Sequence, residues 1–455
     1  MFHRIFIANR GEVAARLVRA CRKMGIEAVC AASTPDLEAG FPYLEEAAEV
    51  VHLGPGAAAQ SYLKLEQIVQ AAKQTRCTAL HPGWGFLAEN PQFAALCEQH
   101  GITFIGPAPD VMDRMGRKVS SRIAAAEAGL PVVPGSKGLL SSVEEAVAVA
   151  AEVGYPVVLK ADAGGGGRGI RRCDDETEIK QAYGEASREA VAAFGNGALY
   201  LERYLVGGRH IEFQVLGDGR GKAIHLGERE CSIQRRHQKL LEEAPSPALD
   251  AQMRDHYGQL SADAAAFWNY AGAGTMEYLL ADDGKLYFLE MNTRLQVEHP
   301  VTERITGIDI VEQQIRIAAG EGLPCTQEEV QWKGHAMEVR LNAEDTSEDF
   351  RPCPGVVEEI AFETAGVRVD THLTSNSRIS PYYDSLLAKV ISRGENREQA
   401  IGQMVQCLQE ARLSGVPTTV GLHQAILADE SFQAGDFDTS WLADFLEREG
   451  SRILS

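Results

Sequence analysis

Residues 275–292, TMEYLLADDGKLYFLEMN, determine how the middle of this chain folds. Two β-rich runs flank Asp283-Gly284, a dipeptide suited to the positive φ values of a two-residue turn, so the stretch predicts a hairpin. With that turn Glu277 lies opposite Glu290, with Cβ atoms roughly 5 Å apart, and like charges so placed destabilise the pair unless a cation lies between them. Asn292 lies on the same face and adds a neutral oxygen. The hairpin therefore predicts a hard-cation site that suits Mg²⁺ bridging phosphates.

A solvated acidic strand face is the alternative interpretation, because a loop one residue longer would break the pairing. Beyond the hairpin the polar alternation continues through Arg294, Gln296 and Glu298. A fully extended chain would carry Glu298 about 26 Å from Glu290, at roughly 3.3 Å per residue. The chain must therefore bend if the metal ligands and Glu298 belong to one site.

A glycine run lies upstream, in residues 157–173, VVLKADAGGGGRGIRRC. Two β-like runs enclose Gly164 to Gly167, and residues without a Cβ let the backbone close over a ligand and present N–H groups to phosphate oxygens. The pattern predicts a mobile flap over a nucleotide, or alternatively a flexible hairpin tip. Lys160, just before the run, either pairs with phosphate or is solvated.

A basic cluster, residues 234–239 with the sequence QRRHQK, is the second unusual feature of the middle region. In an acidic protein this local positive charge predicts a site for a small anion, with a solvated surface run as the alternative. Nearby, His210 and Glu212 alternate along a predicted strand. A lone histidine in such a strand usually has a structural role.

Three blocks are expected along the chain. Up to about residue 112, short apolar runs alternate with amphipathic ones, which predicts a small α/β domain. Its first turn has one glycine, Gly11, where a dinucleotide fingerprint needs three, so a nicotinamide-binding domain is disfavoured. The middle block covers about 113–320. The third, about 334–446, mixes β-like runs with an amphipathic helix in REQAIGQMVQCLQEARL.

Composition excludes several classes of protein. With 455 residues, 45% hydrophobic and 24% charged, the chain is expected to form two or three globular domains. No apolar run is long enough for a membrane span and no signal peptide is recognisable, which predicts a cytoplasmic protein. The nine cysteines contain no CxxC pair, so reduced structural thiols are expected. A net charge of −20 argues against nucleic acid or anionic membranes as partners.

Eight motifs follow one another along the chain: IANRGE, HPGWGFLAEN, MGRKVS, GGGGRG, ERECSIQRRHQK, EMNTRLQVEHPVTE, RLNAED and PYYDSLLAK. Taken together, they resemble those of the biotin carboxylases in order and spacing, from Arg4 to about Leu442. Other ATP-grasp ligases share a metal strand like EMN, but they do not combine TRLQVEHPVTE with QRRHQK.

This resemblance implies a multidomain α/β and α+β fold, usually assembled as a homodimer. A PreATP-grasp domain would cover residues 1–112, and an ATP-grasp domain 113–320, with a movable lid at about 132–204. A biotin carboxylase C-terminal domain would cover 334–446.

The resemblance also implies roles for individual residues at the nucleotide. Two lysines contact the ATP phosphates, two glycines close above them, four hinge residues contact adenine, and two histidines complete the site. In that order they are Lys118 and Lys160; Gly166 and Gly167; Glu202, Arg203, Tyr204 and Leu205; and His210 and His237.

A second set of roles concerns the metal, bicarbonate and biotin. The implied groups are three metal ligands, a four-residue bicarbonate pocket, a general base, and an arginine that faces the biotin ureido oxygen. In that order they are Glu277, Glu290 and Asn292; Lys239, Arg294, Gln296 and Val297; Glu298; and Arg340. Trp84, which stands where relatives more often have tyrosine, lies near the expected biotin position. Ala163 and Arg203 are two further departures from the common pattern.

The implied reaction is carboxylation of biotin with ATP, bicarbonate and Mg²⁺ or Mn²⁺, through carboxyphosphate. No biotinylation sequence and no carboxyltransferase segment is present, so the biotin carboxyl carrier protein and the carboxyltransferase are expected on other chains. The final acceptor stays open among acetyl-CoA, other acyl-CoAs, pyruvate and 2-oxoglutarate. The alternatives are an ATP-grasp ligase that joins a carboxylate to an amine, and a nucleotide-sensing or scaffold subunit without catalysis.

Overall fold

The N-terminal part of the protein is a parallel sheet enclosed by helices. The structure, a computed structural model, describes residues 1–162, 170–205, 207–362 and 365–453. The first five strands are β1 Arg4–Ile7, β2 Glu27–Ser33, β3 Glu49–Gly54, β4 Ala79–His81 and β5 Thr103–Phe104, and the helices are α1 Gly11–Lys23, α2 Thr34–Ala39, α3 Pro42–Glu46, α4 Leu65–Gln74 and α5 Pro91–Gln99.

These strands form one parallel sheet in the order β3-β2-β1-β4-β5. Both faces of the sheet are covered, which explains why its strands are continuous apolar runs. On β1, Ile5 and Ile7 point into one core and Phe6 points into the other. The α/β pattern expected from the sequence is therefore present in this part of the chain.

A small three-stranded sheet with its own hydrophobic core follows. Its strands run in the order β7-β6-β8, and α8 and α9 pack against them. The elements are α6 Pro109–Met115, α7 Lys118–Glu127, α8 Val143–Val153, β6 Val157–Ala161, β7 Ile170–Cys173, α9 Glu176–Phe194 and β8 Leu199–Arg203. Gly166 and Gly167 lie outside the described residues, so the expected phosphate flap has no structural description.

The rest of the middle region supplies five long strands and three helices. They are β9 Arg209–Asp218, β10 Ala223–Arg235, β11 Gln238–Ala244, α10 Ala251–Phe267, β12 Ala271–Leu280, β13 Leu286–Asn292, α11 His299–Thr306 and α12 Ile310–Ala318.

The C-terminal block adds two long strands, several short ones and four helices. They are β14 His335–Asn342, β15 Glu344–Asp345, β16 Arg351–Pro352, β17 Val356–Val357, β18 Glu359–Ala361, β19 Arg368–Thr371, β20 Ser377–Arg378, β21 Leu386–Gly394, α13 Arg397–Glu410, β22 Arg412–Ser414, α14 Val420–Ala428, α15 Glu430–Ala434 and α16 Trp441–Ile453. In the described ranges, no helix is both long enough and apolar enough to cross a membrane.

One sheet crosses from the middle region into the C-terminal block. Its order is β13-β12-β9-β10-β11-β14-β21-β19, and β11 and β14 join the two parts by antiparallel pairing, with Leu241 opposite Val339. The sequence indicated two separate blocks here and did not reveal this junction. The junction matters for the site because it places β14 beside the strand that carries the basic cluster.

The hairpin of β12 and β13 differs in detail from the sequence prediction. The predicted two-residue turn is wrong: Ala281 pairs with Lys285 around a three-residue loop, with Gly284 at φ 73°. A register shift follows, because Glu277 pairs with Glu290 but Tyr278 pairs with Phe288. This bulge leaves Leu289 unpaired and 41% exposed. The extra loop residue and the bulge cancel, so Glu277 and Glu290 are opposite each other as predicted.

Candidate active site

Lys239 on β11 is the centre of a buried charged cluster. Its Nζ donates hydrogen bonds to Oε1 of Glu277 at 2.9 Å and to Oε1 of Glu298 at 2.7 Å, and also to Glu212 on β9. Burial alone would lower the pKa of Lys239, but these three carboxylates hold it well above its usual value. Lys239 is therefore a fixed positive charge inside a water-poor site.

Glu277 faces the cluster from the adjacent strand β12. Its Oε2 lies 2.9 Å from Nε2 of His210, and its Oε1 accepts hydrogen bonds from Asn292 at 2.9 Å and Gln296 at 3.3 Å. Burial would raise the pKa of Glu277, but Lys239 and His210 hold it well below its usual range. Glu277 thus keeps its negative charge at neutral pH.

Glu290 completes the acidic pair that the hairpin brings together. Its side chain keeps some access to solvent, although protein atoms crowd it on most sides, while Glu277 opposite it is buried. Loss of water around it and the charge of Glu277 raise the pKa of Glu290, and Lys118 opposes this shift. With Oδ1 of Asn292, which accepts from Arg294 at 3.0 Å, the pair offers the oxygen donors that Mg²⁺ prefers. The donor set fits a hard divalent cation.

Glu298 reaches the same cluster because the chain bends after β13. The strand ends at Asn292, and Glu298 is the residue before α11. One oxygen of Glu298 accepts from Lys239, and the other accepts from Nη2 of Arg340 at 2.8 Å. Burial would raise the pKa of Glu298, but Lys239 and Arg340 hold it well below its usual range. The bend required by the sequence argument is present, and it delivers an ionised carboxylate.

Arg294 is held rigidly in the segment that makes this bend. Its Nε donates to Glu89 at 2.9 Å, and Nη1 donates to the side chain of Gln296 at 3.0 Å. The backbone carbonyl of Val297, the residue after Gln296, accepts a hydrogen bond from Nζ of Lys389 at 2.8 Å. The segment therefore presents one oriented guanidinium, and its partner Gln296 contacts Glu277, which also binds Lys239. An oriented guanidinium is suited to a small planar anion.

The lysines assigned to the nucleotide lie on two different elements, α7 and β6. Lys118 begins α7. Lys160 on β6 donates to Oε2 of Glu202 at 2.6 Å, and Arg122 lies 3.1 Å from Oε1 of the same carboxylate. Glu202 is therefore bound to two cations in this structure, and its expected contact with adenine stays a prediction. A phosphate would compete with Glu202 for Lys160.

The three residues after Glu202 are those assigned to the hinge from the resemblance. The guanidinium of Arg203 lies 4.0 Å from Asp283 in the hairpin loop. The ring of Tyr204 lies 4.7 Å from the guanidinium carbon of Arg172. Leu205 packs with Val133, Ala281 and Tyr287. These contacts connect the small sheet to the hairpin that carries the acidic pair.

The basic cluster divides into an outer and an inner part. Arg235 and Arg236 pair with Asp349 at the surface, and His237 is exposed at the hairpin tip with φ 66°. Only Lys239 enters the buried site. Lys239 lies among the three carboxylates described above, so its assignment to an anion site stays a prediction, and His237 does not contact the cluster in the described structure.

Arg340 and Trp84 were both assigned to biotin, and the structure places them differently. Arg340 on β14 lies between Glu298 and Glu242, whose Oε1 is 2.5 Å from Nη2. Trp84 lines a cavity of about 170 Å³ with Arg10, Glu12 and Tyr382, among others. Arg340 does not line this cavity in the described structure.

Several buried partners were missed from the sequence. Glu212, noted only for alternating with His210, is fully buried and binds Arg229 as well as Lys239. Glu89 orients Arg294. Glu242 lies in a run that looks like a solvated acidic strand. For Glu212 and Glu242 the signal in the sequence was a charged residue within a strand that is largely apolar, whereas Glu89 lies in a turn and had no such signal.

The chain is similar to known proteins over nearly its whole length. Three family models match: "Biotin carboxylase, N-terminal domain" at residues 1–112, "Carbamoyl-phosphate synthase L chain, ATP binding domain" at 117–326, and "Biotin carboxylase C-terminal domain" at 338–444. The chain is 49% identical to a biotin carboxylase of Nostoc sp. over 97% of this chain and 99% of the relative. It is 48% identical to the 2-oxoglutarate carboxylase small subunit of Hydrogenobacter thermophilus, over 98% and 94%.

Solved structures give the same picture. The biotin carboxylase domain dimer of the Hydrogenobacter thermophilus 2-oxoglutarate carboxylase, in complex with MgADP, ADP and bicarbonate, has a TM-score of 0.91 at 47% identity, covering 100% of this chain and 99% of that one. A biotin carboxylase complex with β-γ-ATP from Campylobacter jejuni has a TM-score of 0.92 at 42% identity, covering 98% and 99%.

Proposed function

The chain belongs to the biotin carboxylase family, which carboxylates biotin with ATP and bicarbonate, and we propose that the cluster around Lys239 is the centre of that reaction. The observation that supports this assignment is the position of Glu298. It is an ionised, buried carboxylate held between Lys239 and Arg340, beside the acidic pair Glu277 and Glu290. A base, an anion-binding cation and a metal-binding pair therefore adjoin one another.

The first step joins bicarbonate to the γ-phosphate of ATP. Lys239 and Arg294 bind the bicarbonate anion, and Glu298 takes its proton as the bicarbonate oxygen attacks phosphorus and ADP leaves. The product is carboxyphosphate. Mg²⁺ held by Glu277, Glu290 and Asn292 would offset phosphate charge. Positioned charges supply most of the acceleration in phosphoryl transfer, which accounts for the density of fixed ions in this site.

The second step carboxylates biotin. Carboxyphosphate breaks down to CO₂ and phosphate, and the phosphate removes the ureido N–H proton of biotin. Negative charge then develops on the ureido oxygen, where the guanidinium of Arg340 stabilises it. The ureido nitrogen attacks CO₂ and forms the N–C bond of carboxybiotin. Arg340 is suited to this role because it is a permanent cation in direct contact with the base Glu298.

The proposed partners of this chain are the proteins that carry biotin and that use carboxybiotin. We propose that biotin arrives on a carrier protein, that a carboxyltransferase on another chain uses carboxybiotin, and that the chain forms homodimers in the cytoplasm. The dimer of the Hydrogenobacter thermophilus domain supports the last point. Relatives named for 2-oxoglutarate and pyruvate carboxylation have similar chains, so the acceptor is determined by the carboxyltransferase. Acetyl-CoA, with a role in fatty acid biosynthesis, is the acceptor we propose to test first.

Two arginine variants test the assignment. Arg340→Ala should spare bicarbonate-dependent ATP cleavage without biotin and reduce biotin carboxylation by about a hundredfold, or about 3 kcal/mol, as when one oxyanion donor is lost. Arg294→Ala should reduce bicarbonate-dependent ATP cleavage even before biotin is added. ATP cleavage with and without free biotin and the melting temperature are measured for both. Full carboxylation by Arg340→Ala, or a general loss together with several degrees of stability, would contradict the biotin role.

A further inference from the structure

Two buried glutamates face each other beside Arg340. Glu242 on β11 and Glu338 on β14 occupy directly opposed positions in the strand register, and the accessible surface of each is 0%. Like charges directly opposite each other destabilise a strand pair, and the cost grows when the carboxylates are removed from water. Such a pair needs either cations or a proton.

The cations near the pair are shared with other groups. Glu242 forms an ion pair with Nη2 of Arg340 at 2.5 Å, but the same atom donates to Glu298. In the described part of the chain, no oxygen of either glutamate has a donor in hydrogen-bonding geometry, so the two differ in that Glu242 has this ion pair and Glu338 has none. Lys389 on β21 lies near Glu338, but its Nζ donates to the carbonyl of Val297 and lies 3.2 Å from Glu12. The titratable or charged groups that act on the pair from neighbouring elements are Lys239, Glu298, Arg340 and Lys389, with His299 neutral on α11.

The pair therefore holds a proton at neutral pH. Burial, opposed by Arg340 and reinforced by Glu298, raises the pKa of Glu242 to about 7. Burial, opposed by Lys389 and reinforced by Glu242, raises the pKa of Glu338 well above its usual range. Glu338 lacks the contact with a guanidinium that Glu242 has, so the proton belongs on Glu338 and the negative charge on Glu242.

We propose that Glu242 is a positioning residue that anchors Arg340 for the biotin step, and that Glu338 keeps the proton that allows Glu242 to be the only charge of the pair. The inference rests on the proposed role of Arg340. Glu298 loses its charge when it takes the bicarbonate proton, so its hold on Arg340 weakens within each cycle. Glu242 takes no part in that transfer and keeps the guanidinium in place.

The proton on Glu338 has a second consequence. Two negative charges beside Arg340 would oppose the negative charge that develops on the ureido oxygen of biotin. With one of the two carboxyls neutral, the guanidinium keeps enough positive field to stabilise that oxygen. The charge beside Arg340 therefore depends on pH. Below about pH 7 Glu242 is protonated as well as Glu338, and its ion pair with Arg340 is lost.

The test compares Glu242→Gln with wild type from pH 6 to pH 9. In wild type, the ratio of biotin carboxylation to biotin-independent ATP cleavage should fall as the pH decreases through about 7. In Glu242→Gln that ratio should be about tenfold lower at pH 8, mainly in kcat for biotin, and independent of pH. Glu242→Asp, which restores the charge, should recover the pH dependence in part.

Glu338→Gln tests where the proton is. Because the pKa of Glu338 is raised in the folded protein, the stability linked to its proton is present at low pH and is lost as the pH rises through that pKa. Glutamine does not titrate, so the melting temperature of Glu338→Gln should increase relative to wild type between pH 5 and pH 9. A constant difference across this range would overturn the assignment of the proton.

Glu243→Gln is the matched control, since Glu243 is the next residue on β11 and equally buried. It is ion-paired with His335 and Arg397, and they hold its pKa below the usual value. This variant should lose stability and keep the wild-type ratio. Arg340→Ala is measured alongside. If Arg340→Ala keeps biotin carboxylation, the proposed function of Arg340 fails. If it loses carboxylation while Glu242→Gln behaves as wild type, only the inference about Glu242 is overturned.

Discussion

Replacing Glu298 by glutamine is the most direct probe of the reaction centre, because it removes one charge and preserves shape. Lys239 and Arg340 share this carboxylate. A glutamine oxygen can accept from one of them, but its NH₂ group then faces the other cation. Catalysis loses the group that takes the bicarbonate proton. A positioned general base contributes about 10²- to 10⁴-fold, so bicarbonate-dependent ATP cleavage and biotin carboxylation should both fall by that factor.

The cost in stability should be smaller than the usual cost of breaking a buried ion pair. Lys239 keeps Glu212 and Glu277, and Arg340 keeps Glu242. The loss in unfolding free energy should therefore be close to that of one hydrogen bond to a charged group, about 1.5–3 kcal/mol. It should be smaller than the roughly 3–5 kcal/mol lost when a buried charge is left without any partner.

The pH dependence of stability gives an independent check on Glu298. Its pKa is lowered in the folded protein, so the stability it contributes is present above the pKa of an unfolded glutamate, about 4.3. That contribution is lost as the pH falls through the folded value. The difference in unfolding free energy between wild type and Glu298→Gln should be constant from pH 6 to pH 8 and should shrink below about pH 4.3.

The assay measures ADP release with and without bicarbonate, ADP binding, and chemical unfolding for wild type, Glu298→Gln and Glu243→Gln. Glu243→Gln also removes a fully buried, ion-paired carboxylate, and it should lose similar stability while retaining bicarbonate-dependent ATP cleavage. ADP binding should persist in both variants. A general base contributes at least about a hundredfold to the rate. If Glu298→Gln keeps more than about a tenth of the bicarbonate-dependent rate, the loss is too small for a general base, and the proposed role of Glu298 is wrong.

Three further predictions concern the metal, His210 and Trp84. Glu277→Gln and Glu290→Gln should each raise the Mg²⁺ concentration needed for half-maximal ATP cleavage, and an unchanged Mg²⁺ dependence in both would rule out a shared cation. Burial would lower the pKa of His210, but Glu277 raises it, so the stability from that pair is present below about pH 6.5 and is lost as the pH rises through the pKa of the folded state. The melting temperature of His210→Asn should therefore fall further below that of wild type at pH 6 than at pH 9. Equal differences at the two pH values would contradict the pair. Trp84→Tyr should change KM for the biotinylated carrier in steady-state kinetics while leaving KM for ATP near wild type, and a change in KM for ATP alone would remove Trp84 from the biotin side.

The acidic hairpin shows what a sequence can predict and why. Asp283-Gly284 favours a tight reversal of the chain, and apolar alternation defines which face is buried, so the opposition of Glu277 and Glu290 followed from local rules. The length of the loop, in contrast, did not follow from local rules. Asp282-Asp283-Gly284 suits a two-residue turn or a three-residue loop equally well, and the choice depends on the bulge at Leu289, which no local signal marks. The correct pair therefore came from two compensating differences.

The buried ion network was beyond local prediction for a different reason. The side chain of Glu212 looks like an ordinary strand carboxylate until β10 and β12 are placed on either side of β9. Those neighbours are set by pairings between distant segments. The sequence also gives no sign that Glu242 faces Glu338, because the two lie in blocks that read as separate domains. The resemblance to a family assigned roles to individual residues, but the partners that hold those residues could be found only from the sheet order.

That sheet order also explains how one reaction centre can combine a rigid part and a separate nucleotide-binding part. Lys239 and Arg340 lie on the neighbouring strands β11 and β14 of one continuous sheet, and the side chains of both bind Glu298 at the start of α11. Lys160 and Glu202 lie on the small sheet, which has its own core. Under the proposed assignment, a displacement of the small sheet would change the contacts to the ATP phosphates without disturbing Glu298 or Arg340. We therefore propose that bicarbonate and biotin chemistry belongs to the long sheet, and closure over the nucleotide to the small one.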